Sequence, residues 1–393
     1  MVTLHNHVAP GFSDLERRMV ADIPEGGNWS NIPAGLSARV DQIKRRSAER
    51  GIVHTTYYGR LGWDRPAYTI STFFTRMGNG CFLHPGQTRL ITAREAARLQ
   101  TFPDSFVFAG SSRAVAKQIG NAVPPLLGAM VGRSLPGETV VDLFSGAGGM
   151  SYGLGLAGKS VVLGVESDEP ATRTFSANHP GSLVWQTKLG DDESIEELRE
   201  RVTALGGCDI LVGGPPCQSF STAGLRASDG RSNLVFTFAE AVRRIRPKTF
   251  VMENVLGLRS FQRGSVLAQL LKVLRETGYD VRLWDLKAEL YGVPQRRRRL
   301  LLVGDLVGSF GHPLPVLSAH KGYPEPFTTV REAIGDLPPL AEGEGSSPMS
   351  ADLPPSEGAL QSWLRGEAAL EDLLPELVRR GQAQRGELVL ALA

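Results

Sequence analysis

The stretch TVVDLFSGAGG (Thr139–Gly149) decides the fold, because a short apolar run rich in β-branched residues leads directly into a glycine-rich turn and the start of a helix. From there to about residue 304, short β-rich runs alternate with amphipathic stretches of helical periodicity. Five further runs predict strands, at 160–166, 209–214, 249–254, 279–286 and 299–304. Helices are predicted between them, at 170–178, 195–205, 233–245 and 265–277. This alternation predicts an α/β fold with a doubly wound, mostly parallel, Rossmann-like sheet.

The glycine-rich turn after the first predicted strand could bind a cofactor. Glycines let a ligand approach the backbone, and the helix that follows leaves N–H groups free to bind it. The next predicted strand ends at Glu166, where an acid suits a pair of ribose hydroxyls. Several folds that bind nucleotide-like ligands share such a turn, and a tight turn beside a solvated glutamate gives the same pattern. These residues alone therefore leave the ligand open.

A cysteine follows another predicted strand, in GGPPCQSFS (Gly213–Ser221). Two prolines stiffen this loop, which can present the Cys217 thiol at the carboxyl edge of a parallel sheet, where ligands bind. Glu253 ends the next predicted strand in MENV (Met252–Val255), so an acid and a thiol are predicted to share one crevice. A carboxylic acid beside a thiolate suits protonation of a ring nitrogen while the thiolate adds to the ring. A lone cysteine is more often a buried structural residue, which is our interpretation of Cys208.

Four arginines stand immediately before the last predicted strand, in YGVPQRRRRLLLVG (Tyr291–Gly304). Alternate residues of a strand share a face, so Gln295, Arg297 and Arg299 are predicted to point one way, toward the crevice or a phosphate. The residues between them then point the other way. A run of arginines is usually a solvated patch, but its position beside the crevice favours a function.

The bulk composition is that of an ordinary globular protein, with 41% hydrophobic and 21% charged residues. No apolar run approaches the roughly 18 residues of a membrane span, and the first residues lack the pattern of a signal peptide. Cys81, Cys208 and Cys217 are too few and too scattered for a disulfide framework or a metal site. We therefore expect a cytoplasmic protein. Residues 1–138 carry 16 basic against 10 acidic side chains, which is compatible with a polyanionic partner.

The motifs DLFSGAGG, GGPPCQSFS, MENV and QRRRR together resemble the ordered blocks of the cytosine-C5 DNA methyltransferase family. Two further blocks lie in the N-terminal half, RLITAREAARLQTFPD (Arg89–Asp104) and QIGNAVPP (Gln118–Pro125). In conventional members of the family the cofactor loop comes first and GNAVPP last, whereas here REAARLQ and GNAVPP precede the cofactor loop. The resemblance thus implies a circularly permuted member, whose two ends fall within the target-recognition region. Termini that lie close together on a surface allow this rearrangement without a change of fold.

The resemblance implies that the protein uses S-adenosylmethionine to methylate C5 of a cytosine in a specific DNA sequence, after the base has turned out of the duplex. Cys217 matches the nucleophile that adds to C6, Glu253 the acid at the N3 edge, and Arg297 the arginine near the target base. The supporting residues would be Asn254, Gln295 and Arg299. The residues that match the cofactor site are Phe144, Ser145, Gly146, Gly148, Gly149, Glu166, Pro215, Leu234, Asn121, Ala122 and Val123. Where the family often has an acid for the cofactor adenine, this sequence has Lys188, with Asp191 three residues later.

The resemblance also predicts the domain organisation. The segments would be 1–88, part of a smaller, irregular target-recognition lobe; 89–138, a segment and connector that complete the catalytic domain; 139–339, the catalytic S-adenosylmethionine-dependent domain; and 340–393, the remainder of the recognition lobe. Two helices are predicted outside the sheet region, at 93–101 and at 358–380, where Pro375 interrupts the second.

Double-stranded DNA is the partner that the resemblance implies, for a monomer of bacterial or phage type that lies with the nucleoid when on DNA. The sequence does not decide whether a cognate restriction endonuclease is a further partner, and it does not give the recognised site. Two alternatives stay open: cytosine methylation in tRNA by the same chemistry, and a catalytically silent DNA-binding protein. The sizeable recognition region, with its Thr69–Ile70 pair, favours DNA over RNA. The presence of Cys217, Glu253 and Arg297 favours an enzyme.

Overall fold

The computed structural model describes residues 2–51, 56–216, 234–306, 308, 311–313, 316–317 and 327–392. Its strands are β1 (Val2–Leu4), β2 (His7–Val8), β3 (Gly59–Arg60), β4 (Cys81–Leu83), β5 (Thr139–Leu143), β6 (Ser160–Glu166), β7 (Leu183–Gln186), β8 (Ile210–Gly213), β9 (Thr249–Asn254), β10 (Asp280–Lys287), β11 (Arg298–Asp305), β12 (Gly345–Ser346) and β13 (Met349–Ala351). Its α-helices are α1 (Asp14–Ala21), α2 (Ala38–Arg50), α3 (Ala93–Leu99), α4 (Ser112–Asn121), α5 (Pro125–Arg133), α6 (Gly149–Leu156), α7 (Glu169–Asn178), α8 (Asp192–Ala204), α9 (Leu234–Ile245), α10 (Ser265–Glu276), α11 (Val330–Ile334), α12 (Ala359–Leu364) and α13 (Leu370–Leu392).

Two compact units make up the chain. Unit 1 comprises Met1–Ala122, Glu289–Arg297 and Pro315–Ala393. Unit 2 comprises Val123–Ala288 and Arg298–Leu314. The segment 89–138, which we predicted to complete the catalytic domain, is therefore divided after Ala122, and its first part folds within unit 1.

Unit 2 is built on a seven-stranded sheet in the order β10-β11-β9-β8-β5-β6-β7. The strands from β9 to β7 in this order are parallel, and β11 runs antiparallel to both β9 and β10. All six predicted strands are present, so the mostly parallel α/β prediction is confirmed. The seventh strand, β7, was not predicted from its sequence pattern. It is short, lies at the sheet edge and exposes Leu183 by 58%, so it lacks the apolar run of the buried strands.

The central strands are buried on both faces, as their continuous apolar runs predict. Leu143 of β5 and Leu211 of β8 belong to one hydrophobic cluster with Leu198 of α8, Phe238 of α9 and Leu270 of α10. Each buried side chain of this size contributes about 1.5–3 kcal/mol to the free energy of folding. This core fixes the positions of the strand ends from which the candidate site is built.

The segment predicted as a connector between the GNAVPP block and the first sheet strand is mostly helical. Helix α5 buries Leu126, Leu127 and Val131 and packs closely on α6. A Cβ added to Gly128 would lie 3.2 Å from Met150 O, and this lack of a side chain lets the two helix backbones approach. The segment therefore contributes to the core of unit 2 as well as linking two blocks.

Unit 1 joins the first residues of the described chain to residues 345–351 through short strands. β1 pairs antiparallel with β13, and β2 pairs antiparallel with β12. A third pair, β3 with β4, is parallel. Segments that are more than 300 residues apart in sequence thus form one small fold.

Buried arginines hold helix α3 within unit 1. Arg98 lies 2.6 Å from Asp104 and 2.5 Å from Asp336, and Asp336 also pairs with Arg365 at 2.5 Å. Arg94 donates to the carbonyl of Pro103 at 2.9 Å. A buried charge needs such partners because an unpaired one would cost several kcal/mol. These contacts hold the REAARLQ block against the C-terminal segment within unit 1.

The predicted helix at 358–380 is two helices, α12 and α13, and the break is not at Pro375. Gly366 has φ 75°, in the left-handed region that commonly ends a helix, and it follows α12. Pro375 lies inside α13. Across the described ranges, no helix is both long and apolar enough to cross a membrane.

Candidate active site

The strand order reverses between β5 and β8. The chain runs from β5 through β6 to β7 on one side, and β8 is followed by β9 on the other. Ligands of open parallel α/β sheets bind at the carboxyl ends of the strands beside such a point. Leu143, at the end of β5, pairs with Gly213, at the end of β8, and Gly214 N donates to Leu143 O at 3.3 Å. The glycine-rich turn and the loop that leads to Cys217 therefore start side by side.

The turn after β5 has an unusual backbone. Phe144 has φ 56°, and Gly146 and Gly148 have φ 56° and 88°. The left-handed conformation of a non-glycine residue such as Phe144 costs about 1–3 kcal/mol and persists only where its surroundings hold it. Ser145 N donates to a carbonyl of β6 at 3.1 Å, which fastens the turn to the neighbouring strand.

Glu166 ends β6, and its carboxylate binds the same turn. Oε2 accepts a hydrogen bond from Gly146 N at 2.9 Å, while Oε1 accepts from Ser167 N at 2.7 Å and Asp168 N at 2.9 Å. A carboxylate offers about four lone-pair positions. Oε2, with one described donor, can still accept a bond from a ligand hydroxyl.

The turn has features that suit a ligand with hydroxyl and charged groups. Ser145 Oγ is buried and has no hydrogen-bond partner among the residues that the structure describes. Among the described residues, a Cβ added to Gly146 would meet no atom within 4 Å, so none of them fills the space beside this glycine. Gly149 begins α6, and the first N–H groups of a helix have no partner within it. The Ser145 hydroxyl, the N–H groups at the start of α6 and the Glu166 carboxylate are polar groups that suit a nucleoside cofactor.

Asp142 is a buried acid near this turn that the sequence analysis did not single out. It is 2% exposed, and Ser151 Oγ of α6 donates to its Oδ2 at 2.6 Å. Burial raises the pKa of Asp142 to about 7, against the lowering effect of the Ser151 hydrogen bond. An acid inside the otherwise apolar run TVVDLF was the signal that could have found it.

Glu253 lies at the carboxyl end of β9 and is held by Arg299 of β11. Arg299 Nε is 2.6 Å from Glu253 Oε1, and both side chains are largely buried. The second carboxylate oxygen, Oε2, faces Gly214: a Cβ added to that glycine would lie 3.2 Å from it. One oxygen of Glu253 is thus bound by an arginine, and the other is directed at the loop that follows β8.

Asn254 contacts the same loop one residue further along. Its Nδ2 donates to the carbonyl of the buried Pro215 at 3.2 Å. Cys217 lies in the stretch 217–233, outside the described residues, so its predicted place at the strand ends stays a prediction. The described chain resumes at Leu234, the half-buried first residue of α9.

Gln295 and Arg297 lie in unit 1, where both are buried and bind backbone groups. Gln295 Oε1 accepts from Ile70 N at 2.9 Å, and its Nε2 donates to Leu99 O at 3.1 Å. Arg297 Nη1 donates to Ile70 O at 2.9 Å, and its Nη2 donates to Gly120 O at 2.7 Å. The two side chains connect the Thr69–Ile70 pair with the ends of α3 and α4.

Burial alternates along the arginine run, because Gln295, Arg297 and Arg299 are buried and the residues between them are exposed. The shared strand face is not confirmed, since β11 begins only at Arg298. The contacts of the two buried arginines differ from each other, and the place of Arg297 near the target base stays a prediction. Arg299, which we expected to support the site, pairs with Glu253. Arg297, which we expected near the target base, donates to the backbone carbonyls of Ile70 and Gly120. The sequence pattern could not separate the two arginines, because it did not show that the strand begins only at Arg298, after Arg297.

The GNAVPP residues predicted to bind the cofactor lie where the chain passes from unit 1 to unit 2. Asn121 is exposed at the end of α4, Ala122 follows it, and Val123 is buried in unit 2. Gly120 packs directly on the backbone of residues 71–72, where an added Cβ would collide. The glycine of this block is therefore required by packing.

The two candidates for an adenine contact have ordinary surroundings. Lys188 is exposed. Asp191 caps α8, because its Oδ1 accepts from Ser194 N at 2.8 Å. The helix cap accounts for the presence of Asp191, and a contact with a cofactor stays a prediction for both residues.

Known proteins resemble this chain in sequence. It is 37% identical over 219 residues to the type II methyltransferase M1.HphI of Haemophilus parahaemolyticus, covering 53% of this chain and 55% of the relative. It is 41% identical over 206 residues to the type II methyltransferase M.XorII of Xanthomonas oryzae pv. oryzae, covering 50% and 46%. The crystal structure of the S. pombe Dnmt2 methyltransferase matches 47% of this chain and 61% of that chain, with 21% identity and a TM-score of 0.34. The chain spans about half the length of the curated relatives it matches.

A family model gives the broadest match. The model described as C-5 cytosine-specific DNA methylase matches residues 10–136 and 139–349, which together make up most of the chain. The chain therefore belongs to the C-5 cytosine-specific DNA methylase family.

Proposed function

We propose that the protein transfers the methyl group of S-adenosylmethionine to C5 of a cytosine in duplex DNA, with Cys217 as the nucleophile. Membership of the DNA methylase family supports this reaction. The observation that carries the proposal is the arrangement at the ends of β8 and β9. Glu253 faces Gly214 there, and Asn254 binds Pro215, two residues before Cys217. An acid held beside the start of a cysteine loop suits addition of a thiolate to a nitrogen heterocycle.

S-adenosylmethionine, when bound, supplies an electrophilic methyl group. The turn from Phe144 to Gly149 would hold it, with Ser145 Oγ and the N–H groups of α6 as polar contacts. Glu166 would accept the ribose hydroxyls through Oε2. Pro215 and Leu234 would form an apolar wall. The assignment of the three GNAVPP residues, 121–123, to the cofactor site rests on the family resemblance alone.

The residues of the chain would act on the cytosine in a defined order. The Cys217 thiolate forms a bond to C6, and Glu253 places a proton at N3, so that the electrons of the C5–C6 double bond become available at C5. C5 then takes the methyl group. The C5 proton then passes to solvent, the thiolate leaves C6 and the N3 proton returns to Glu253. These steps restore the C5–C6 double bond and the free enzyme, with S-adenosylhomocysteine as the second product. The base would leave the stack first, because C5 and C6 cannot be approached within it.

We propose that Arg299, and not Arg297, is the arginine that orients the acid. Its ion pair with Glu253 Oε1 leaves Oε2 directed at Gly214, which supports this assignment. Arg297 would be a positioning residue for the backbone of Ile70 and Gly120.

The substrate can be tested directly with labelled cofactor. We expect the purified protein to transfer tritiated methyl groups from S-adenosylmethionine to duplex DNA and not to tRNA, and sequencing of methylated cytosines to show one recurring site. Transfer to tRNA alone would establish the RNA alternative. Binding of DNA without any transfer would establish a silent DNA-binding protein.

Duplex DNA bound by a monomer is the proposed complex, and a cognate restriction endonuclease is a proposed partner because the relatives are type II methyltransferases.

We further propose that the chain is a circular permutation of the conventional order. The family match breaks at residues 137–138, between the GNAVPP block and the first sheet strand, where the permutation requires a junction. The pairing of β1 with β13 and of β2 with β12 also supports it, because segments near the two chain ends fold together in unit 1. The predicted surface positions of Met1 and Ala393 lie outside the described residues.

A rearranged chain tests the permutation. We expect a protein whose ends are joined by a flexible linker, and whose chain is reopened near Pro136, to fold and to methylate the same site as the original. The reason is that the break would fall between α5 and β5, outside any regular element. A control reopened inside β5 should not fold, because it interrupts a central strand. Methylation at a different site, or a folded but inactive protein, would contradict the proposal.

A further inference from the structure

One turn of unit 1, residues 71–78, carries an exposed aromatic side chain. Phe73 is 51% exposed, whereas the adjacent Phe74 is fully buried. Phe73 N donates to Ser71 Oγ at 3.2 Å, and Arg76 N donates to Phe73 O at 2.9 Å. The turn therefore uses one phenylalanine as an anchor and presents the other to solvent.

The turn is fixed at both ends. Ile70, which precedes it, is held through its N–H by Gln295 and through its carbonyl by Arg297. At the other end, Gly78 has φ 85° and lies against Tyr58, whose ring would be 2.8 Å from an added Cβ. A fixed turn loses little conformational entropy when a partner binds, which favours its use as a contact element.

A cationic side chain contacts Phe73, and the chain around it carries no acid. The Arg76 guanidinium lies over the Phe73 ring, 5.6 Å from its centroid. Residues 65–94 and 105–125 contain no aspartate or glutamate. The second range includes α4, whose exposed Arg113 and Lys117 are four residues apart and share a helix face. The end of α4 packs on the turn, because Gly120 touches the backbone of 71–72. Two stretches of chain that carry cations and no acids favour a polyanionic partner.

We propose that the Phe73 ring stacks on a base of the bound DNA duplex, with Arg76 at a neighbouring phosphate. This inference rests on the proposed function, which makes duplex DNA the substrate. Aromatic side chains on cationic surfaces bind nucleic acids in this way because every base has an apolar face, and proteins that deform DNA insert apolar side chains between base pairs. Phe73 is thereby a positioning residue for the DNA and not a catalytic one.

Substitution of Phe73 tests the contact. The probe is a short duplex that contains the site found by sequencing DNA methylated by the wild-type protein. We expect Phe73→Ala to raise the Kd for this duplex about tenfold, since loss of one stacked base costs a factor of this order, and Phe73→Trp to retain wild-type affinity. The matched control is Leu15→Ala, which removes another exposed apolar side chain of unit 1, 41% exposed on α1, and should change nothing. Melting temperatures should be the same for all variants.

The outcomes separate this inference from the proposed function. If the wild-type protein methylates DNA and Phe73→Ala binds the duplex as tightly, the stacking contact is wrong and the enzymatic function stands. If the wild-type protein neither methylates nor binds duplex DNA, both are wrong. A photoreactive p-benzoylphenylalanine in place of Phe73 gives a second measurement, which does not depend on the stability of the alanine variant. It should form a crosslink to a base of the duplex, whereas the same group in place of Leu15 should not; no crosslink from position 73 would contradict the proposal.

Discussion

Cys217→Ser is expected to abolish methyl transfer, with a loss of at least roughly 10³-fold, and to leave DNA and cofactor binding largely intact. Addition to C6 needs a strong nucleophile, and a serine hydroxyl is a far weaker one than a thiolate at neutral pH. The loss should appear in the rate of tritiated methyl transfer, while the affinity for duplex DNA stays close to that of the wild-type protein.

The other two cysteines provide the control. Burial raises the pKa of the Cys81 thiol to about 12, and burial followed by the charge of Asp209 raises that of Cys208 to about 12. Both thiols are therefore protonated, and poor nucleophiles, throughout the neutral range. Cys208→Ser should transfer methyl groups at the wild-type rate.

A duplex with 5-fluorocytosine at the target position identifies the nucleophile directly. In 5-fluorocytosine a fluorine stands in place of the C5 hydrogen that must leave as a proton. Because the carbon–fluorine bond does not break in this step, the adduct between C6 and the thiol should accumulate. Peptide mapping should find the DNA on Cys217. An adduct on Cys81 or Cys208, or full activity of Cys217→Ser, would refute the assignment.

The second large effect is expected for Glu253. Glu253→Gln should lower the rate of methyl transfer about 10²- to 10⁴-fold, the range typical of a lost general acid. The amide has nearly the same shape as the carboxyl group but cannot donate a proton to N3. It also loses the charge that pairs with Arg299 at 2.6 Å. Single-turnover rates with saturating DNA measure the chemical step and separate it from binding.

A matched control excludes a general effect of removing a negative charge. Glu276→Gln, at the exposed end of α10 in the same unit, alters only a surface pair with Lys272 at 3.9 Å and should keep the wild-type rate. A wild-type rate for Glu253→Gln would remove this residue from the mechanism. If the rate falls only because the duplex binds less tightly, Glu253 is a binding residue instead.

Much of the sheet could be predicted from local pattern. Apolar runs such as 249–254 and 299–304 became central strands, because a strand covered on both faces must be apolar throughout its length. β7 was not predicted, because it is an edge strand with an exposed Leu183 and therefore has no continuous apolar run. The division of the predicted helix 358–380 at Gly366 was also not predicted, because Pro375 is the residue in this segment that most often interrupts a helix.

The sequence by itself determined which residue types could do chemistry: an acid after one strand, a cysteine after its neighbour and a glycine-rich turn before both. It did so because catalytic and cofactor-binding groups of a parallel sheet cluster at strand ends, whose order can be counted along the chain. Only the tertiary structure decided which buried arginine meets Glu253, that Gln295 and Arg297 bind the backbone of Ile70, and that Phe73 is exposed while Phe74 is buried. These contacts join residues up to 227 positions apart. Local periodicity carries no information about partners at that separation, because they are selected by the packing of the whole core and not by the neighbouring sequence.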